Sequence, residues 1–139
     1  MNAKEYLLQI RKLDRQIDDK MSMLKSLYDC VTSVTSVMQD TPVKGSGAGD
    51  KIGNTVAKIV DLQAEVNADV DRYVDLKCEA MARINKLDPP YSCILYKRYF
   101  EYKSWEQIAV ELNFSYRHVT RMHGVALKNL SEKVLVSPT

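Results

Sequence analysis

Hydrogen-bonding and basic side chains are concentrated between residues 115 and 128. Arg117 and Arg121 are four residues apart, so a helix places both on one face. Arginine, lysine and hydroxyl side chains are the donors that contact phosphates and base edges of DNA, and Lys128 is placed for a phosphate. The alternative is a set of solvated surface side chains and, for His118, a surface histidine without a role. The predicted DNA-binding set is Ser115, Tyr116, Arg117, His118, Thr120, Arg121 and Lys128.

The residue types that enzymes and metal sites require are not arranged in a usable pattern. Cys30, Cys78 and Cys93 form no CxxC pair, and His118 and His123 are five residues apart, so zinc-site spacing is missing. The glycine-rich segment at residues 45–49 lacks the lysine-serine ending of a phosphate loop, and no nucleophile has a plausible base. We expect no catalysis, no metal and no cofactor, with the cysteines reduced and packed.

Charge is divided unevenly along the chain. Residues 1–88 carry 13 Lys and Arg against 14 Asp and Glu, whereas residues 89–139 carry 7 against 4. The basic excess therefore lies in the segment that holds the predicted DNA-binding set. A slightly basic, solvated domain is the alternative explanation, but a basic excess favours a polyanionic partner.

Two long amphipathic helices are predicted before this segment. Apolar residues recur in steps of three and four from Tyr6 to Met38 and again from Ile52 to Leu87. Residues 40–50 contain Pro42 and three glycines and predict a flexible loop. Prolines 89 and 90 end the second helix. We predict an all-α fold, with a coiled-coil-like antiparallel hairpin over 1–88 and a compact three-helix domain over 89–139. The hairpin stripes close on each other or on a second chain.

The C-terminal domain has the capping and turn residues of a helix-turn-helix. A short helix is predicted over Tyr91–Tyr102. Ser104 and Gln107 form a capping-box pattern before the next helix of about nine residues. Asn113 tolerates the left-handed conformation of a turn, and Ser115 can cap the last helix. That helix is predicted to run from Tyr116 to about Val134 and to bury five residues: Val119, Met122, Ala126, Leu130 and either Val125 or Leu127.

Residues 91–134 resemble the C-terminal promoter-recognition domain of sigma-70 family factors, and the whole chain more loosely resembles small phage and prophage regulators with a sigma-like C-terminus. The resemblance implies promoter DNA as ligand and contact with RNA polymerase. Basic residues common in that family are replaced here by Thr120, Met122, Gly124 and Val125. The matching positions are Leu95, Arg98, Tyr99, Phe100, Ser104, Trp105, Ile108, Ala109, Leu112, Ser115, Val119, Ala126, Leu127 and Leu130.

These features predict a sequence-specific DNA-binding transcriptional regulator of phage or prophage origin, acting as an activator with host RNA polymerase. The expected partners are double-stranded promoter DNA, RNA polymerase and a second copy of the chain. No apolar run is long enough to span a membrane, so the cytoplasm of a bacterial host is the expected location. One alternative is a small-terminase-like DNA-packaging protein that oligomerises through its long helices. Another is a degenerate motif used only for protein contacts.

Overall fold

The computed structural model describes residues 2–40 and 46–135, and all regular structure within them is helical. The all-α prediction is therefore confirmed. The elements are α1 (Ala3–Asp40), α2 (Ser46–Ile84), α3 (Tyr91–Tyr99), α4 (Trp105–Leu112) and α5 (Tyr116–Asn129), and wider π-type turns continue α5 over Leu130–Leu135.

The two long helices extend further toward each other than the composition of their connection predicts. Helix α2 begins at Ser46, so residues 46–50 of the predicted flexible loop are helical, and residues 41–45 lie outside the described residues. A helical glycine costs only about 1 kcal/mol relative to alanine, which a long helix tolerates. Helix α2 ends at Ile84 and not at Leu87. Turn residues then lead to the prolines.

Helix α3 is shorter than predicted. It ends at Tyr99, where the backbone N–H groups of Phe100 and Glu101 both donate to the carbonyl oxygen of Tyr96. Tyr102 has a φ of 57°, a left-handed conformation that cannot continue a helix. The predicted limit at Tyr102 is therefore wrong by three residues.

Packing groups the chain into two compact units. One contains residues 1–12 and 73–139, and the other contains residues 13–72. The first turns of α1 and the last turns of α2 thus belong to the same unit as α3, α4 and α5, whereas the sequence places the division between residues 88 and 89. The reason is a shared core that sequence periodicity does not reveal.

In the unit of residues 13–72, α1 and α2 pack antiparallel. The Nζ atom of Lys20 donates to Oδ2 of Asp69 at 2.6 Å, while Cys30 and Val31 lie beside Ile52, so rising numbers on α1 meet falling numbers on α2. A buried cluster closes the seam; it comprises Leu24, Ile59 and Leu62, with Leu27 and Val31 packed against it.

The unit of residues 1–12 and 73–139 has two apolar clusters. The larger joins the first turns of α1 to the end of α2, to α3 and to α5; its fully buried members are Ala3, Leu7, Ile10, Ala80, Ile84, Leu95, Ala126 and Leu130. The smaller fixes α4 against α3 and α5 through Ile94, Ile108, Ala109, Val119 and Met122. Val119, Met122, Ala126 and Leu130 are buried as predicted, and of the remaining pair Leu127 packs against the larger cluster whereas Val125 is exposed.

None of the described helices combines the length and the apolar character that a membrane span requires. The three cysteines are free thiols, but Cys30 and Cys78 are exposed. The prediction that they pack in the interior is wrong for these two, because both lie outside the buried stripes of their helices.

Candidate nucleic-acid interface

Two caps and one turn residue set the geometry between α4 and α5. The hydroxyl of Ser104 accepts from the backbone N–H of Gln107, whose side chain accepts from the N–H of Ser104, so the predicted capping box is confirmed. Asn113 has φ 60° and ψ 42°, the left-handed conformation predicted for it. Ser115 accepts from the N–H of His118 and caps α5, as predicted. Two helices joined by a three-residue turn are the result.

Helix α5 divides into a buried face and an exposed face. Val119, Met122 and Ala126 enter the two clusters, while Arg117, Arg121 and Lys128 are exposed. At about 100° per residue, the three basic side chains lie within a narrow sector of the helix surface. The packing of α5 therefore presents a basic stripe to solvent.

Four of the seven predicted residues meet at the N-terminal end of α5. Ser115, Arg117, His118 and Arg121 line one open concavity of about 260 Å³. Within it, Nη2 of Arg121 donates to Nδ1 of His118 at 2.9 Å. Because Nδ1 accepts this bond, Nε2 is the ring nitrogen that carries the proton and can donate. This hydrogen bond also restricts the orientation of the arginine. The only feature of the sequence that indicates the bond is the three-residue spacing of His118 and Arg121 on a helix.

The backbone at the start of α5 supplies further donors beside the concavity. The first N–H groups of a helix have no partner within the helix, and those of Tyr116 and Arg117 find no acceptor among the described residues. The hydroxyl of Ser115 uses its oxygen to cap α5 and keeps its hydrogen free to donate. The helix dipole adds partial positive charge at the same end. The arrangement suits an anion such as a DNA phosphate.

The other three predicted residues lie outside the concavity. The Tyr116 side chain is 51% exposed beside it. The hydroxyl of Thr120 donates to the carbonyl oxygen of Arg117 at 3.0 Å, so only its acceptor lone pairs remain available. Lys128 is seven residues beyond Arg121, which is about 10 Å along the helix axis. It can contact a second phosphate but not the first.

Charge pairing separates α5 from the neighbouring helices. Lys97 and Lys103 both pair with Glu111, and Arg98 donates to the carbonyl of Lys103. By contrast, no salt bridge within the described residues involves a basic residue of α5, and α5 itself contains no acidic residue. The positive charge of α5 is therefore available to an external partner.

Gly124 occupies the centre of the basic stripe, between Arg121 and Lys128. A Cβ atom built at this position meets nothing within 4 Å. No part of the described chain therefore requires a glycine here. The bare backbone instead lowers the surface of the helix at the middle of the candidate interface.

His123, a half-buried residue of α5, packs against the neighbouring helices on the side of α5 away from the basic stripe. The hydroxyl of Tyr99 and Nε2 of His123 are 2.8 Å apart, and the rings of His123 and Trp105 are 4.5 Å apart. The guanidinium of Arg98 lies over the ring of Trp105, 4.3 Å from the ring centre. Burial, followed by the positive charges of Lys4 and Arg98, lowers the pKa of His123 to about 4. His123 is thus a packing residue, as the sequence indicates.

No protein-family model, curated protein or solved structure matches this chain. Within the described residues, no group of three or more His, Cys, Asp or Glu side chains lies close enough to hold a metal ion. The concavity at the start of α5 and the basic stripe beyond it are consequently the features from which function is inferred.

Proposed function

We propose that the chain is a sequence-specific DNA-binding transcriptional regulator in which α5 enters the major groove. The observation that carries the proposal is the convergence of Ser115, Arg117, His118 and Arg121 around one concavity at the start of α5. Hydroxyl, imidazole and guanidinium donors converge there, and none of the described carboxylates lines the concavity. Phosphates and purine edges require donors of this kind.

The dimensions of α5 fit this role. Its 14 residues span about 21 Å, and a major groove about 12 Å wide admits one helix. With the helix N-terminus facing the DNA, Ser115 and the free backbone N–H groups bind a phosphate. Arg117 and Arg121 reach base edges, and Lys128 contacts the backbone further along the groove. Tyr116, Thr120 and His118 complete the surface.

The assignment to transcription rests on the resemblance of residues 91–134 to sigma-like promoter-recognition domains. The proposal is supported by the capping box, the left-handed turn residue and the buried apolar positions that join α4 to α5. We propose a regulator of phage or prophage type that activates transcription together with host RNA polymerase. The helical segments outside the motif are then available for protein contacts.

Selection from random duplex DNA tests the DNA-binding part of the proposal. Recovered sequences should share a short motif, and the wild-type protein should protect that motif in a footprint on the DNA of its host. Recovery of no motif, with no binding at low salt, would contradict DNA recognition.

Footprinting with and without RNA polymerase tests the transcriptional part. Protection next to a promoter that strengthens when polymerase is added supports activation. Closed rings of many subunits bound at the ends of viral DNA would instead assign the chain to DNA packaging and overturn the activator proposal.

A further inference from the structure

Helix α2 carries a second apolar stripe in addition to the one that packs on α1. Ile59, Leu62 and Val66 are buried, yet Val56 and Val60 are exposed on another face of the same helix, with Val60 61% exposed, and Val70 is exposed at the edge between the two faces. Gln63 and Asn67 continue this stripe, so that it runs in alternating steps of four and three. This is the spacing of a coiled-coil seam, and over these 15 residues it extends about 21 Å.

The surroundings of this stripe are uncharged and small. At about 100° per residue, the sector centred on Val60 contains Gly53, Ala57 and Ala64, and no charged side chain lies in it between residues 53 and 67. The charged residues of this segment lie on the opposite part of the helix surface; they are Lys58, Asp61 and Glu65. A solvated helix face normally carries charge, whereas alanine and glycine allow another helix to approach closely.

Helix α1 adds two large side chains on the same side of the two-helix packing. The Lys20–Asp69 salt bridge marks one edge of that packing. On α1, Lys20 borders one side of the buried stripe, and helical geometry places Met21 and Tyr28 on its other side. On α2, Asp69 borders one side of the buried stripe, and Val60 lies on the other. Met21 and Tyr28 are each at least half exposed. We name the whole surface the valine face; it comprises Met21, Tyr28, Val56, Val60, Gln63, Asn67 and Val70.

We propose that the valine face binds the valine face of a second copy of this chain. The stripe is nearly symmetric about its centre: Gln63 and Asn67 are flanked by Val60 on one side and Val70 on the other, each three residues away. A two-fold axis through the centre places valine opposite valine and amide opposite amide. Such self-complementarity is what a symmetric dimer requires.

The polar centre of the face also favours a copy over a different partner. The Nε2 of Gln63 donates to Oδ1 of Asn67 at 3.0 Å, and in a dimer the remaining donors and acceptors of both amides pair with their equivalents. A single buried amide at such a seam fixes register and oligomeric state. None of the seven residues of the face is charged, and Asp71 is the first charged side chain beyond Val70, so two copies bring no like charges together at its centre.

Sedimentation equilibrium of the full-length protein tests this inference. The wild-type chain should be a dimer, and Val60→Lys should raise the dimer dissociation constant at least tenfold while circular dichroism shows an unchanged helix content. Val110→Lys is the matched control, because Val110 is 79% exposed on α4 outside the face. This control should dimerise as the wild type does.

A second variant keeps the test decisive if Val60→Lys loses helix content. Asn67→Lys replaces one exposed polar residue by another and removes no apolar contact, and it should also yield a folded monomer. A wild-type chain that stays monomeric, or a dimer that survives both lysine variants in folded form, would overturn the proposal. A monomer whose valine face binds a different protein would overturn it as well.

Discussion

Arg121 shows how a single side chain is prepared for recognition. Its guanidinium is held by Nδ1 of His118 at 2.9 Å, so part of the entropy of ordering a long side chain is already lost in the free protein. The remaining N–H groups of the planar fork are free to bind the edge of a guanine. The role that we propose for Arg121 is therefore geometric as well as electrostatic.

The variant Arg121→Lys separates these two roles. Lysine retains the positive charge but not the fork, so binding to unrelated duplexes should change little, while discrimination in favour of the selected motif should fall by about 1–3 kcal/mol. Fluorescence anisotropy with selected and scrambled duplexes measures both quantities. An unchanged ratio of the two affinities would show that Arg121 reads no base.

The lowered pKa of His123 should make the stability of the fold depend on pH. Burial lowers its folded-state pKa from an ordinary value of 6.5 to about 4, so the folded chain holds it neutral while the unfolded chain binds a proton below pH 6.5. The stabilising contribution is thus present above pH 6.5 and is lost as pH falls toward 4. Burial also raises the pKa of the Tyr99 hydroxyl, which lies 2.8 Å from Nε2 of His123, so this hydroxyl stays protonated over the same pH range.

Thermal unfolding between pH 7 and pH 5 tests this linkage. The melting temperature of the wild type should fall across this range, and the slope should be shallower for His123→Gln, which retains a polar partner for Tyr99 but does not titrate. The bond to Lys103 lowers the pKa of Glu111, so any stability that this carboxylate contributes is lost only in more acidic solution. Stopping at pH 5 therefore separates the titration of His123 from that of Glu111. Equal slopes for the two proteins would remove His123 from the account.

At Gly124 of α5, one substitution should raise the stability of the fold and lower the affinity for DNA. Gly124→Ala adds a Cβ atom in open space and removes the helix penalty of glycine, so it should stabilise the fold by up to about 1 kcal/mol. The same methyl group lies on the face proposed to meet DNA, where it should weaken binding. Urea unfolding and anisotropy measure the two effects. A destabilised variant would show that the backbone at residue 124 is not relaxed helix.

The elements show which parts of the fold a sequence can predict. Ser104, Asn113 and Ser115 act on neighbours a few residues away, so their caps and turn conformation could be read from residue type and spacing. The start of α2 was not predictable in this way, because glycine composition lowers helix propensity without forbidding helix. The valine face was missed because periodicity analysis assigned one apolar stripe to α2, whereas the helix has two.

At the scale of the whole molecule, contacts between distant segments were the least predictable. The first turns of α1 pack with α3 and α5, and the backbone N–H of Ala3 donates to the Ser131 hydroxyl across 128 residues. The candidate site was more accessible to sequence analysis because all of its residues lie on one helix. The concavity that its side chains line was not, since it depends on how these side chains are arranged on the exposed side of α5.

If α5 binds DNA through its own basic side chains, as we propose, the salt dependence of DNA affinity should differ between two double variants. Arg117→Ala with Arg121→Ala removes two charges from the concavity, while Arg15→Ala with Arg72→Ala removes two exposed charges from α1 and α2. The first pair should lower affinity for the selected duplex and make the slope of log affinity against log salt shallower, because fewer protein cations then replace counterions on the DNA. The second pair should leave the slope unchanged. Equal behaviour of the two pairs, or no loss of affinity in the first, would contradict the assignment of α5 as the DNA-binding element.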